Sequence, residues 1–285
     1  MNRMRFLTLA LALGIAGLQV GCSDDDNPVD GEVPIELSAV FNLNVDGQPI
    51  ILNNMGYANS SGTAYSIKTL RFVITDVVMH YAGGSVKVAD LHYYDLADPS
   101  TQSFEFSGLP HQEWTSVSFT FGLDETDNVR DKYLSRSQFH SAMFWPEPLG
   151  ANLGYHYMQL EGNYATGPTT TAPYTTHMGP RQLDGTNPDF PGVVDATPHH
   201  FHFAVDLPFA PLHIHNEGRG ELTINFNLND WYTDLDAGDG QDTEYDFADY
   251  PTQMIMGNLD AQGKLQHNGR YCFTAELEAH GGHHD

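Results

Sequence analysis

Along most of the chain, apolar and polar residues alternate with a period of two. In Glu221–Leu228, Leu222, Ile224, Phe226 and Leu228 share one face, and Thr223, Asn225 and Asn227 share the other. Successive side chains of an extended chain point to opposite faces, so this pattern predicts a half-buried antiparallel strand. "TSVSFTFG" repeats it with Val117, Phe119 and Phe121, and "RYCFTAELEA" with Tyr271, Phe273, Ala275 and Leu277. Ser66–Tyr81 is longer and apolar on both faces at its middle, which predicts a central strand. Asp46-Gly47 lies between two strand-like runs and predicts a tight hairpin turn. No stretch carries a convincing amphipathic helical pattern. Short strands broken by Gly, Pro, Asn and Asp predict an all-β fold, an antiparallel β-sandwich. Two long loop insertions interrupt it: Ala165–Pro198, rich in Thr, Pro and Gly, and Asp234–Tyr250, rich in Asp and Gly.

The N-terminus follows a different pattern. Two arginines precede the apolar run Phe6–Val20, which is too short for a mature membrane span and has the layout of a secretory signal. "LQVGC" resembles a bacterial lipobox, with Gln19 where an aliphatic residue is usual and Cys22 as the residue to be acylated. The acidic segment after Cys22 cannot bury apolar area and reads as a tether. The expected organisation is a signal peptide over 1–21, a flexible acidic tether over 22–34 and a single domain over 35–285 ending in a histidine-rich tail. The protein is then expected to be an outer-membrane lipoprotein, facing the surface or the periplasm. An ordinary cleaved signal peptide is the simpler alternative.

Charge narrows the choice of partners. Twelve Lys and Arg stand against 37 Asp and Glu, for a net charge of -25, which argues against nucleic acid and against an anionic membrane surface. Of the two cysteines, Cys22 and Cys272, one is expected to be lipidated, so no disulfide framework and no cysteine-based metal site is expected. A metal site in this chain has to use histidine, methionine, carboxylates or something less usual.

Histidine is abundant, with 15 in all. "HHFHF" places His200 and His202 two apart, and "LHIHN" does the same with His213 and His215. Alternate residues of a strand share a face, so each pair can bring two imidazoles to one ion, and neutral imidazole suits copper, zinc and nickel. These four form a second candidate metal site; a polar strand surface is the plainer reading. Asp234–Glu244 has the composition of a calcium loop but not its spacing, because loop position 6 is Asp239 rather than Gly and position 12 is Tyr245. The chain lacks a Gly-x-Ser-x-Gly elbow and a glycine-rich phosphate loop, and it is expected not to be an enzyme.

Four blocks in order carry a family resemblance. "MGYANSSGTAYSIKTLRFVITDVVMHYAGG", "HYYDLADPSTQSFEFSGLPHQEWTSVSFTFGLDETDN", "MFWPEPLGANLGYHYMQLEGNYA" and "YTTHMGP" together span roughly residues 37 to 232. They resemble the MbnP-like copper-binding family, the Trp…Gly-Tyr…Leu-Glu-Gly run being the most distinctive. The resemblance implies a secreted or outer-surface β-sandwich. It also implies Cu(I) held by two histidines and a tryptophan oxidised to kynurenine, the oxidation being done by a dihaem MauG-like, cytochrome c peroxidase-like partner. By motif position, Trp145 is the tryptophan and His177 a histidine ligand, with His140, five residues before Trp145, as the other. The family block often has a second tryptophan where this chain has Glu147, and "PEPLGANL" is extra here. Trp114 and Trp231 border strand-like runs and read as structural. Met143, Met158, Met178, Met254 and Met256 are soft donors that more often fill core gaps. Expected function is therefore copper acquisition or handling by a lipid-anchored binding protein; a surface β-sandwich for adhesion or ligand binding, with no native metal, is the alternative.

Overall fold

The computed structural model describes residues 35–186, 191–214, 218–250 and 255–280. Cys22, the signal and tether segments, His215, Met254 and the tail beyond His280 lie outside the described residues. The first strand, β1 (Ile35–Val45), shows how the alternation works: Ile35, Leu37, Ala39, Phe41, Leu43 and Val45 are all buried while the residues between them are not. Asp46 (φ 50°) and Gly47 (φ 77°) then turn the chain into β2 (Gln48–Pro49). Positive φ at both positions is what a type I′ hairpin requires, so the Asp-Gly turn is present.

After β3 (Tyr57–Ala58), the long β4 (Ala64–Tyr81) is the spine of a seven-stranded sheet. On one side it pairs with β5 (Gly84–Asp95). Its other side is divided between two partners. Residues 65–72 pair with β8 (Met158–Ala165), and residues 74–81 with β7 (Glu113–Phe121). Asp76 (φ 54°) and the adjoining register shift in the ladders mark a bulge in its second half. β9 (Thr171–Met178) extends the sheet beyond β8, and β12 (Phe203–His213) extends it beyond β7. The facing five-stranded sheet holds β1, β2, β6 (Ser103–Leu109), β13 (Arg219–Asn227) and β14 (Phe273–His280). Every pairing is antiparallel except β1 with β13, which run parallel. Aromatic rings join the two layers: Phe72 of β4 lies 5.5 Å from Phe41 and 5.7 Å from Phe226, and Phe121 lies 5.8 Å from Phe273. The result is a β-sandwich, and residues 33–285 form one compact unit.

Two parts of the sequence reading change. The stretch Ala165–Pro198, which reads as a loop, carries β9 and the hairpin of β10 (Arg181–Asp184) and β11 (Val194–His199). The described chain also has two α-helices, α1 (Ser137–Met143) and α2 (Leu259–Gly269). The buried stripe of α2 consists of Ala261, Gln262, Leu265, Asn268 and Gly269, so two of its five inward residues are polar and its apolar period is weak. Those amides are matched to backbone groups: Asn268 donates to the carbonyls of Trp231 and Thr243, and Asn258 caps the helix through Asp260 N and Ala261 N. Tyr271, placed on the inner face by alternation, lies before β14 and is exposed.

Candidate metal centre

Trp145 follows α1 and is fully buried. A short antiparallel bridge joins Phe144 to Tyr155, and Trp145 N donates to Gly154 O at 2.9 Å. This brings the segment after α1 alongside the segment entering β8, so the Trp145 indole meets the imidazole of His156, their ring centroids 4.6 Å apart at 66°. In the β8–β9 ladder Gln159 is opposite His177. His156 precedes β8 and His177 is near the end of β9, and their rings meet edge to face with centroids 5.1 Å apart. Trp145, His156 and His177 thus form a row of three touching rings.

The hydrogen bonds assign the nitrogens. His156 Nδ1 lies 3.1 Å from the Met143 carbonyl oxygen, so Nδ1 carries the proton and Nε2 the lone pair. His177 Nε2 lies 3.0 Å from Glu161 Oε1 and donates to it, which leaves Nδ1 as the remaining nitrogen of that ring. His156 Nε2, His177 Nδ1 and Trp145 Nε1 are all buried without a hydrogen-bond partner. A buried, unpaired polar atom needs an explanation, because its desolvation is uncompensated. Burial above all, with the neighbouring His177 second, pushes His156 down to about 3, so it is neutral at ordinary pH. The hydrogen bond from His177 is the main cause that holds Glu161 below the usual carboxylate range.

The surroundings of the row are fixed. Leu149, Leu153, Leu183 and Met256 form a small apolar cluster with Trp145, separate from the main core. Gly179 packs against the indole, and a Cβ there would collide with the ring. The Gln262 amide of α2 donates to His177 O at 2.6 Å and accepts from Gly179 N at 3.3 Å, so it grips the chain on both sides of Met178.

Of the candidates from sequence, Trp145 and His177 come together through His156. His140 is elsewhere in its contacts: its Nδ1 lies 2.9 Å from the Tyr155 hydroxyl, and its ring meets Phe144 and Tyr155. His156 was not singled out from sequence. The signal was available, since it stands between the Gly154-Tyr155 and Leu160-Glu161-Gly162 parts of the block containing Trp145. Of the four histidines of the second candidate site, His215 lies outside the described residues, and the other three do not gather. His200 and His202 precede β12 and face each other, with ring centroids 6.2 Å apart. His213 is at the far end of β12, which at about 3.3 Å per residue places it roughly 30 Å along the strand.

Among the described residues, two other groups bring ligand types together, Asp236–Asp239–His267 and Asp76–Asp124–Asp127. Their carboxylates already have partners. Tyr271 donates to Asp236, Gln241 to Asp239, and Lys87 and Lys132 pair with Asp76 and Asp127.

The row of rings has the composition a soft metal requires: two imidazole nitrogens free to bind and each ring anchored through its other nitrogen. A backbone carbonyl holds one ring and a carboxylate the other, the outer arrangement usual for metal-ligating histidines. Trp145 Nε1–H is only a donor and in its ordinary form adds no lone pair.

The MbnP family model matches residues 33–254. Among solved structures, MbnP from Methylosinus trichosporium aligns with 15% identity and a TM-score of 0.41, covering 67% of this chain and 76% of that one. No curated protein matches the chain.

Proposed function

This chain belongs to the MbnP family, and we propose that it is an extracytoplasmic copper-binding protein whose metal sits between His156 and His177, beside Trp145. The observation that carries the proposal is the pair of orphaned nitrogens, His156 Nε2 and His177 Nδ1, on two imidazoles in contact. Two imidazole nitrogens beside a buried apolar cluster favour a soft monovalent ion, Cu(I), over a hydrated divalent one. His156 takes the place that the position of His140 suggests from sequence.

Trp145 supplies the third side of the pocket. Its oxidation to kynurenine by a dihaem MauG-like partner would replace an indole donor with an aromatic amine that has a lone pair to offer. The partner, the anchoring of Cys22 in the outer membrane and a role in copper acquisition without turnover belong to the same proposal. What this chain's own residues do is hold the ligands. Met143 O and Glu161 fix which nitrogen of each imidazole is free. Gly179 gives the indole room, and the leucines around it keep water out.

The test is a Cu(I) competition titration against a chromogenic chelator, with His156→Ala, His177→Ala and His140→Ala beside the wild type. One tight equivalent, lost in the first two variants and kept in the third, is the expected result. Equal affinity in wild type and His156→Ala refutes the assignment. Mapping the Trp145 peptide by mass, in protein taken from its own host, reads the oxidation separately.

A further inference from the structure

The His-X-His motif before β12 is not used by the Trp145 centre. Phe201 and Phe203 turn into the core, so His200 and His202 share the opposite side and are half-buried. Their rings stand 6.2 Å apart and nearly perpendicular, at 86°. A metal about 2.0–2.1 Å from one nitrogen of each ring, at a tetrahedral angle, sets the centroids about 5 Å apart, so the two rings close by about 1 Å to share one ion.

The surroundings repeat, in wetter form, the arrangement around His177. His202 Nε2 faces the Glu125 carboxylate, 3.6 Å from Oε1, at ion-pair rather than hydrogen-bond distance. His202 Nδ1 is buried with no partner. His200 Nδ1 has only a long contact, 3.4 Å, with the Tyr157 hydroxyl, and the Tyr157 ring lies 6.4 Å from that of His202. Gln266 of α2 donates to His202 O at 2.8 Å and fixes the backbone that carries the pair. Burial holds both imidazoles below their ordinary range, against the pull of Glu125 and Asp124, so both are neutral at pH 7.

The two sites differ in charge. Beside Trp145, the carboxylate of Glu161 is occupied by His177, and the cluster around the indole is apolar. At His200–His202, Glu125 is 60% exposed on its side chain and Asp124 adjoins it, so negative charge and solvent are both at hand. We infer that His200 and His202 form a second metal site, one that takes a borderline divalent cation such as Zn2+, with Glu125 orienting His202 and water filling the remaining positions. The inference stands whatever the Trp145 centre holds.

The test is a Zn2+ titration of the whole mature protein, followed by the ring-nitrogen resonances of its histidines. His200 and His202 should move together and saturate at one equivalent. Glu125→Gln should weaken that binding by about 10-fold or more, as loss of an outer carboxylate does. His200→Ala/His202→Ala should lose one zinc equivalent in equilibrium dialysis; should that variant not fold, the wild-type resonances decide alone. His200 and His202 resonances unmoved at equimolar zinc, with only the tail histidines responding, would overturn the site. Unchanged affinity in Glu125→Gln would overturn the role given to Glu125.

Discussion

Trp231 and Trp145 are alike by every single-residue measure. Both are fully buried, and neither indole N–H has a hydrogen-bond partner. They differ in company. Trp231 is enclosed by Phe121, Phe226, Phe203 and Phe273, with ring centroids between 5.0 and 6.4 Å. Trp145 lies in a small satellite cluster and touches His156, which touches His177. An orphaned indole N–H is therefore no signal by itself, since Trp114 has one too. The distinguishing feature is neighbouring groups with lone pairs that are themselves unspent.

The sharpest way to break this comparison is to remove the core tryptophan. Trp231→Ala should cost about 3–5 kcal/mol of stability, as truncation of a buried aromatic does. It should leave Cu(I) stoichiometry in the folded fraction unchanged. Urea unfolding and copper titration on the same sample check both; loss of copper by folded Trp231→Ala would make the two tryptophans one functional unit. Next in size is Glu161→Gln. It keeps the shape but weakens the partner that fixes His177, and Cu(I) affinity should fall about 10–100-fold. A chelator competition with no change would show that His177 is positioned by the backbone alone.

The comparison extends to imidazoles. His92 lies against the main core, stacked on Phe41 at 5.4 Å, and its Nε2 donates to Thr101 O at 2.9 Å. Burial pushes it down to about 4, with the Thr101 bond pulling the other way. In the unfolded chain a histidine titrates near 6.5, so between about pH 6.5 and 4 the unfolded state holds the extra proton. Stability is thus full above that window and falls as the pH drops through it, by about 2 kcal/mol at pH 5. Urea midpoints at pH 7 and 5 should show this slope, and His92→Gln should reduce it; an unchanged slope would place the proton elsewhere. The smallest effect belongs to His140→Ala, which removes one hydrogen bond to Tyr155 and should cost about 1 kcal/mol. A drop in copper affinity larger than that would return His140 to the ligand set.

The two regions were not equally legible in the sequence. The sandwich core could be read directly, because β13, β7 and β4 alternate or run apolar as strands facing a core must. Helix α2 could not, because Gln262 and Asn268 fill its buried face with amides whose partners are backbone groups far along the chain. The β9 to β11 region reads as a loop because its Thr, Pro and Gly content is that of turns, and its strands are set by pairing with β8 and with each other. For the candidate site, motif position singled out Trp145 and His177, which the structure links through the His156 ring. It missed His156 because spacing along the chain cannot show that the Phe144–Tyr155 bridge folds residue 156 back against residue 145.

The parallel pairing of β1 with β13 has a consequence for how the molecule is made. Asn42 bonds to Asn225 across 183 positions of sequence. At translation rates of about 5–20 residues per second, the first strand waits roughly 10–40 s for its partner to be synthesised. During that interval its edge is open, and the five-stranded layer cannot close. The ring-bearing segments around residues 145, 156 and 177 emerge midway, yet Gln262, which grips His177 and Gly179, comes near the end. The row of rings is therefore among the last things to be fastened. A chain truncated before α2 would carry all three rings without the clamp that holds the turn beside them.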